Sequence, residues 1–205
     1  MLTKNLVKHV YISPLSYEII GCPYPGTPPA YIGDVPSGLF VQLDKITDAA
    51  EAVDHIQDGT NLFISGFTAG YPKLIPKQLV RRANEGERFK INVYAGASTG
   101  DAVDGILSEA GIIGWRRPYM SNRSMRELIN KEEIAFKDDH LSRLSAEVRA
   151  GNWGVPHVAV VEAVAITEKG HLIPTLSVGN TPTYVREAQK IIIEISSEPP
   201  MPFII

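Results

Sequence analysis

The residues best placed to do chemistry in this sequence are small ones. The stretch Asn61 to Lys73 passes from an apolar run, Leu62 to Ile64, into a turn of small residues from Ser65-Gly66 onward. A helical pattern opens between Pro72 and Pro76. Gly66 has no Cβ, so the backbone can bend sharply there and let a ligand approach closely. Proline is tolerated in a first helical turn, whose amides have no intrahelical partner. Those first amides are then expected to point, unpaired, at whatever occupies the turn. Two more small-residue turns follow apolar stretches: Gly96-Ala97-Ser98-Thr99-Gly100 and Ser177-Val178-Gly179-Asn180. On one sheet edge the three would line a pocket with backbone, and its N–H groups could hold an oxyanion or a carboxylate. Taken singly, each is also the ordinary corner of an α/β sheet.

The other candidates are weaker. None of the turns reads Gly-x-Gly-x-x-Gly, and none ends in Gly-Lys-Ser/Thr, which disfavours a dinucleotide or nucleoside triphosphate site. Glu162 interrupts an otherwise hydrophobic run, and a buried charge is costly unless hydrogen-bonded. It either anchors neighbouring loops or faces the pocket. Glu194 sits similarly in the last apolar run and reads as structural. His9, His55, His140, His157 and His171 show no metal spacing. His140, after Asp138-Asp139, reads as a helix cap. Arg116-Arg117 and Lys73/Lys77 could meet phosphate, with a solvated face as the plainer reading. Trp115 and Trp153 read as packing residues.

The elements that must hold these turns can be placed from periodicity. Thr47 or Asp48 caps a first helix, with Glu51 set for a capping box and Ala49, Ala50, Val53 and Ile56 on one face. After the first strand, Ile75, Leu79 and Ala83 mark an amphipathic helix closed by Gly86. Phe89 to Ala95 alternates as a strand, and Ala102 to Ala110 is helical. Ile112–Trp115 and Ile134–Phe136 are short strands. Between them Met125, Leu128 and Ile129 form a helix capped by Ser121, Asn122 or Ser124. Leu141, Leu144, Ser145 and Val148 give a helix ended by Gly151. Val158 to Ile166 is a continuous β-branched run, which predicts a central strand covered on both faces. A turn at Glu168-Lys169-Gly170 then allows His171 to Pro174 to return antiparallel. A helix from about Pro182 to Gln189 and a strand at Ile191–Ile195 complete the pattern. The repeated strand-turn-helix order calls for an α/β fold with a mostly parallel sheet and helices on both faces. Three regions result: an irregular lead-in at 1–45 with short strands such as Leu39–Leu43, an α/β domain at 46–196, and a Pro-rich tail at 197–205.

Composition sets outer limits. The 205 residues fit one domain with a short extension, and 44% are hydrophobic, enough for a full core. A net charge of −3 gives no electrostatic reason to expect nucleic acid. One cysteine, Cys22, leaves no intramolecular disulfide and no multi-cysteine metal site. No apolar run approaches the ~20 residues of a membrane span. With no secretory signal in view, a cytoplasmic setting is expected, or a mitochondrial one in a eukaryote, and the Asn122-Arg123-Ser124 triplet reads as incidental.

Several motifs in register resemble one family. Ser65-Gly66-Phe67-Thr68 with Gly70-Tyr71-Pro72-Lys73, then Gly96 to Gly100, Asn152-Trp153-Gly154, Val161-Glu162-Ala163 with Ala165-Ile166-Thr167-Glu168, Ser177 to Asn180, and Lys190 to Glu194 follow one another in order. They are similar to the acetyl-CoA hydrolase / acetate (succinyl-CoA:acetate) CoA-transferase family, over about Thr47 to Ile195. The resemblance implies a class I CoA-transferase fold of the NagB/RpiA-like type, built from two similar domains. It implies nucleophilic catalysis by a glutamate that forms acyl-glutamyl anhydride and glutamyl-CoA intermediates. In the family that glutamate and most coenzyme A contacts lie in the second domain, and no glutamate here matches its motif. The resemblance therefore implies an amino-terminal half, whether fragment, subunit or truncated product. Its partners would be acyl-CoA, a small carboxylate, and a second CoA-transferase domain or subunit in a homo- or hetero-oligomer. No metal and no cofactor beyond coenzyme A as substrate are expected, and no catalytic residue is assigned within the chain. The expected substrate-binding residues are Ser65, Gly66, Phe67, Thr68, Gly96, Ser98, Thr99, Gly179 and Asn180. The alternatives are a non-catalytic acyl-CoA or sugar-phosphate binding domain, and an isomerase of the ribose-5-phosphate isomerase fold group.

Overall fold

The computed structural model of the protein describes residues 7–13, 46–64, 66, 70–166 and 172–196, with backbone alone for 7–13 and 46. In chain order the elements are β1 (Val7–Ser13), β2 (Ile46–Thr47), α1 (Ala49–Ala52), β3 (Asn61–Ile64), α2 (Leu74–Asn84), β4 (Ile91–Ala95), α3 (Ile106–Glu109), β5 (Ile113–Arg117), α4 (Arg123–Asn130), β6 (Ala135–Phe136), α5 (Leu144–Arg149), β7 (Val158–Ile166), β8 (Leu172–Pro174), α6 (Thr181–Glu187) and β9 (Lys190–Ser196). They build one sheet with the strand order β2-β1-β9-β7-β3-β4-β5-β6, and β8 pairs with β7 off this path. From β9 to β6 every neighbouring pair is parallel. The pairs β1·β2, β1·β9 and β7·β8 are antiparallel. The sheet is thus mostly parallel, as the strand-turn-helix order requires.

Alternation along the strands sorts side chains to two faces. Leu62, Ile64, Ile91, Val93, Val158, Val160 and Ile192 pack under α1, α2, α3 and α4. Phe63, Tyr94, Ala159, Val161, Ile191 and Ile193 pack under α5 and α6. An aromatic cluster fills the second layer. Phe63 stacks on Tyr94 with centroids 4.6 Å apart, Tyr94 on Trp153 at 5.6 Å, and Tyr184 meets Phe63 edge-on at 5.1 Å. Trp153 is therefore a packing residue, as its sequence context suggested.

Local side-chain caps hold at two of the six described α-helix starts. Asp48 caps α1 by accepting from the Glu51 amide, and Asn122 caps α4 by accepting from Met125. His140 caps the turn before α5, accepting from Ser142. Three helical readings are corrected. Ala50 is exposed and does not lie on the apolar face assigned to it, and Leu141, also exposed, opens a 3-10 turn (Leu141–Arg143) ahead of α5 rather than α5 itself. The stretch entering α3 begins as a π-helical turn, Asp101–Gly105, rather than regular helix.

The region read as an irregular lead-in contributes β1, which lies beside β9 inside the sheet. The expected strand at Leu39–Leu43, the turn at Glu168-Lys169-Gly170 and the tail at 197–205 lie outside the described residues.

β7 is longer than β3. Leu62 to Ile64 pair with Val158 to Val160, while Ala163 faces Ile195 of β9 on one side and Pro174 of β8 on the other. β8 thus sits beyond the end of β3, along the same edge of β7. It brings residues 175–180 down onto the corner that follows β3.

Candidate functional site

Three corners meet at the carboxyl end of the parallel strands. Gly66 follows β3 with φ of +95°, and a Cβ there would collide with the backbone of Gly70. A Cβ on Gly96, after β4, would stand 3.0 Å from the Gly66 carbonyl oxygen and 3.7 Å from the Asn180 amide nitrogen. A Cβ on Gly179 would stand 3.5 Å from that same Gly66 oxygen. Small residues are needed here because backbone touches backbone. Of the candidate residues, Gly66, Gly96, Gly179 and Asn180 are brought together directly. Ser65, Phe67 and Thr68 lie outside the described residues.

The Gly96–Gly100 corner is held from beneath by a buried ion pair. Arg116, on β5, is completely buried. Its Nε donates to Asp104 Oδ1 at 2.7 Å and one terminal nitrogen to Asp104 Oδ2 at 3.1 Å. The same guanidinium donates to the carbonyls of Ala97 at 2.9 Å, Arg117 at 2.6 Å and Pro118 at 3.3 Å. Asp104 Oδ2 also accepts from the Thr99 amide at 3.0 Å. The planar guanidinium therefore links β5, the β4 corner and the π-helical turn in one array. This corrects the reading of Arg116 as a solvated or phosphate-facing residue. Arg117 is also buried; it pairs with Asp139 and lies over the Trp153 ring at 4.6 Å. Ser98 Oγ is 2.9 Å from Ser121 Oγ and accepts from the Ser121 amide, which ties the β4 corner to the β5 corner. The Thr99 hydroxyl is buried with no hydrogen-bond partner among the described residues. Asn180 accepts from Ser145 Oγ at 2.8 Å, fixing the α6 corner to α5.

The start of α2 differs from expectation. Its first amides are not open to a ligand, because Glu194 occupies them. Glu194 accepts from the backbone N–H of Lys73 at 2.7 Å, of Leu74 at 3.0 Å and of Ile75 at 2.7 Å. The donors and the acceptor are about 120 residues apart in sequence, so no local pattern announces the cap. Burial raises the Glu194 carboxyl above its ordinary value; the amides of Ile75, Leu74 and Lys73 oppose this, and neighbouring Glu162 adds to it. Glu162 lies beside Glu194 on β7. It takes the Lys73 ammonium at 2.8 Å and the Thr175 hydroxyl at 3.0 Å. Both glutamates therefore tie loops together, which is the anchoring role of the two left open for Glu162. Among the described residues, no group of three or more His, Cys, Asp or Glu is placed to hold a metal.

The rim with these corners lies within residues 42–204, which match the model of the acetyl-CoA hydrolase/transferase N-terminal domain. The chain belongs to that family. It is 42% identical over 160 residues to a succinyl-CoA:acetate CoA-transferase of Clostridium kluyveri, covering 77% of this chain and 30% of that protein. It is 39% identical over 163 residues to a propanoyl-CoA:succinate CoA transferase of Escherichia coli, covering 77% and 33%. It is 35% identical over 172 residues to an acetyl-CoA hydrolase of Yarrowia lipolytica, again 77% and 33%. Among solved structures, RipA from Yersinia pestis aligns with a TM-score of 0.47 and 19% identity, over 60% of this chain and 30% of that one. These family members are enzymes by name, and the chain spans about a third of the length of the curated relatives it matches. No described helix is long and apolar enough to cross a membrane.

Within the family-matched region the glycine corners were legible from sequence, because turn residues after apolar runs announce themselves. Arg116, Asp104 and Glu194 were not recognised as the groups that fix those corners. Only Glu194 carried a usable signal, an acid placed where the strand pattern demands burial.

Proposed function

We propose that this chain is the amino-terminal part of an acyl-CoA hydrolase or CoA-transferase that acts on acetyl-CoA or a similar short acyl-CoA. A small carboxylate, or water, would be the acceptor, which would place the enzyme in acetate metabolism. The observation that carries the reading is the convergence of Gly66, Gly96 and Gly179-Asn180 on one rim, inside the stretch that matches the family. Backbone N–H groups at such a rim would suit the carboxylate or thioester carbonyl of the substrate. A glutamate from outside this chain attacks the thioester carbonyl, and coenzyme A leaves as thiolate. The thiolate then attacks the glutamyl carbonyl of the resulting anhydride, releasing the first carboxylate and leaving a glutamyl-CoA thioester. A second carboxylate or water resolves that thioester. Exclusion of water from the anhydride decides between transfer and hydrolysis. Neither Glu162 nor Glu194 is the nucleophile in this scheme, because each already holds loops through its carboxylate.

The test is thioester exchange between acetyl-CoA and labelled acetate. It is measured with this chain alone and with the carboxyl-terminal part of a family member added. Exchange is expected only in the mixture. Exchange by the chain alone would overturn the assignment of the nucleophile.

A further inference from the structure

Lys73 stands at the β3 corner with its side chain partly in solvent. That side chain is 44% exposed, and its ammonium lies 2.8 Å from Oε1 of Glu162, a residue only 4% exposed. Short contacts tie this pair to the corner itself. The Thr175 hydroxyl donates to Glu162 Oε2 at 3.0 Å, and a Cβ on Gly70 would stand 2.6 Å from that same hydroxyl oxygen. Gly70 in turn is the residue whose backbone a Cβ on Gly66 would strike. The Lys73 ammonium also lies over the Tyr71 ring, 5.4 Å from its centroid. The Tyr71 hydroxyl comes within 3.3 Å of where a Cβ on Gly100 would be, at the far end of the β4 corner. An amine, a carboxylate and two glycine corners are therefore neighbours. Lys77, Lys131 and Lys137, by contrast, are exposed, and their ammonium groups have no ion-pair partner among the described residues.

An ammonium is not a nucleophile, but a lysine amine is one once a base has taken its proton. Lys77, Lys131 and Lys137 have only water for that step. Lys73 has a carboxylate within hydrogen-bond reach, and general-base help of this kind contributes about 10²–10⁴-fold. A thioester held at the neighbouring corners adds the advantage of proximity. We propose that Lys73 is a modification site, whose amine takes the acyl group of an acyl-CoA with Glu162 as the base. The nitrogen attacks the thioester carbonyl, a C–N bond forms, the C–S bond breaks and coenzyme A departs. Of the two protons the ammonium gives up, one passes through Glu162 to water and the other ends on the coenzyme A sulfur. The resulting amide is neutral, so the ion pair to Glu162 ends with the reaction. This inference rests on the proposed function for the arrival of a thioester at the rim. It does not need turnover, because the acyl group stays on this chain, whereas exchange requires the glutamate from outside it.

The test incubates this chain with isotopically labelled acetyl-CoA, alone and mixed with the carboxyl-terminal part of a family member, and follows each lysine by peptide mass spectrometry. In one or both samples, label is expected at Lys73 at least about tenfold faster than at Lys77, Lys131 or Lys137. Labelling of all four at the same rate in both samples overturns the proposal. Glu162→Gln keeps the shape of the side chain and removes the base, so Lys73 should fall to the rate of the other three. If Glu162 only shielded the ammonium, this variant would label faster, and that result overturns the proposal as well. Should the variant misfold, labelling of the parent in heavy water decides. General-base attack slows more at Lys73 than at Lys77, and equal slowing overturns the assignment of Glu162. Thioester exchange in the same mixture separates the two readings. Label at Lys73 without exchange sinks the reaction and leaves the modification, and exchange without label at Lys73 sinks the modification and leaves the reaction.

Discussion

Replacing Asp104 by Asn tests whether the buried ion pair is what holds the β4 corner. The substitution keeps the shape of the side chain and removes its charge. Arg116 cannot respond by losing its proton, because a guanidinium stays charged in any protein environment. It would keep its carbonyl partners at Ala97, Arg117 and Pro118 but lose its counter-ion at zero exposure. The new amide could accept from only one side, so a donor would face either the guanidinium or the Thr99 amide, which now shares Oδ2. Breaking one side of a buried pair costs about 3–5 kcal/mol. For a chain of this length that is about 6–20 °C in melting temperature, at roughly 2–4 °C per kcal/mol. Thermal melts by far-UV circular dichroism read the shift. The second arm removes both charges, with Asp104→Leu and Arg116→Met together. Removing both partners leaves no stranded charge, so the double variant should melt above Asp104→Asn, with a coupling of about 2 kcal/mol or more between the sites. A variant Asp104→Asn that melts within about 2 °C of the parent, or a double variant that loses the full sum of the single losses, refutes the reasoning.

Three further outcomes follow from the same contacts. Glu194→Gln should speed amide exchange at Lys73, Leu74 and Ile75, and it should also change the pH dependence of stability. Because burial raises this carboxyl, the folded protein holds the proton more tightly than the unfolded chain. The group's contribution is therefore full below the unfolded value and lost as pH climbs through the folded one. The stability gap between parent and variant should narrow as pH rises across that window; melting curves showing it widen would contradict the assignment. Gly66→Ala combines strain at positive φ with a collision against Gly70, whereas Gly86→Ala, at φ +101°, meets nothing within 4 Å. The first should cost at least about 1 kcal/mol more than the second in urea unfolding, and equal costs would mean that the Gly66 and Gly70 backbones are not in contact. Phe63→Ala empties a fully buried site between Tyr94 and Tyr184. It should cost about 3–5 kcal/mol and flatten the near-UV spectrum, so an unchanged spectrum would argue against the aromatic layer.

Much of this fold can be read from local pattern. β7 spans Val158–Ile166, which is the β-branched run itself, and the caps Asp48 and Asn122 stand among the residues that cap chemistry would choose. The glycine corners declare themselves because turns have their own residue types. Long-range partnership is what local pattern leaves out. Alternation places Glu194 on the face it occupies but cannot say that α2 begins above it, since the pairing of distant elements is not written in either segment. Two adjacent arginines after Trp115 resemble a strand's solvated end. In the fold β5 runs through both of them, because Asp104 and Asp139 arrive from other elements to receive them. The charge of Arg116 points outward by habit, and only its acceptors explain why it lies inside. β1 was missed for a similar reason, since a lone strand in a Pro- and Gly-rich stretch gains its meaning from β9.

That position of β1 has a practical consequence for anyone trimming the protein. The family match opens at residue 42, which suggests a natural cut, yet the outer side of β9 is paired with Val7–Ser13 over a register running from Ile191 to Ser196. Cutting there would bare a row of amides and carbonyls on a hydrophobic strand, the kind of edge that recruits a strand from a neighbouring molecule. The first segment thus works as a guard rail against sticking, and a shortened version lacking it should scatter light at concentrations where the whole chain stays clear.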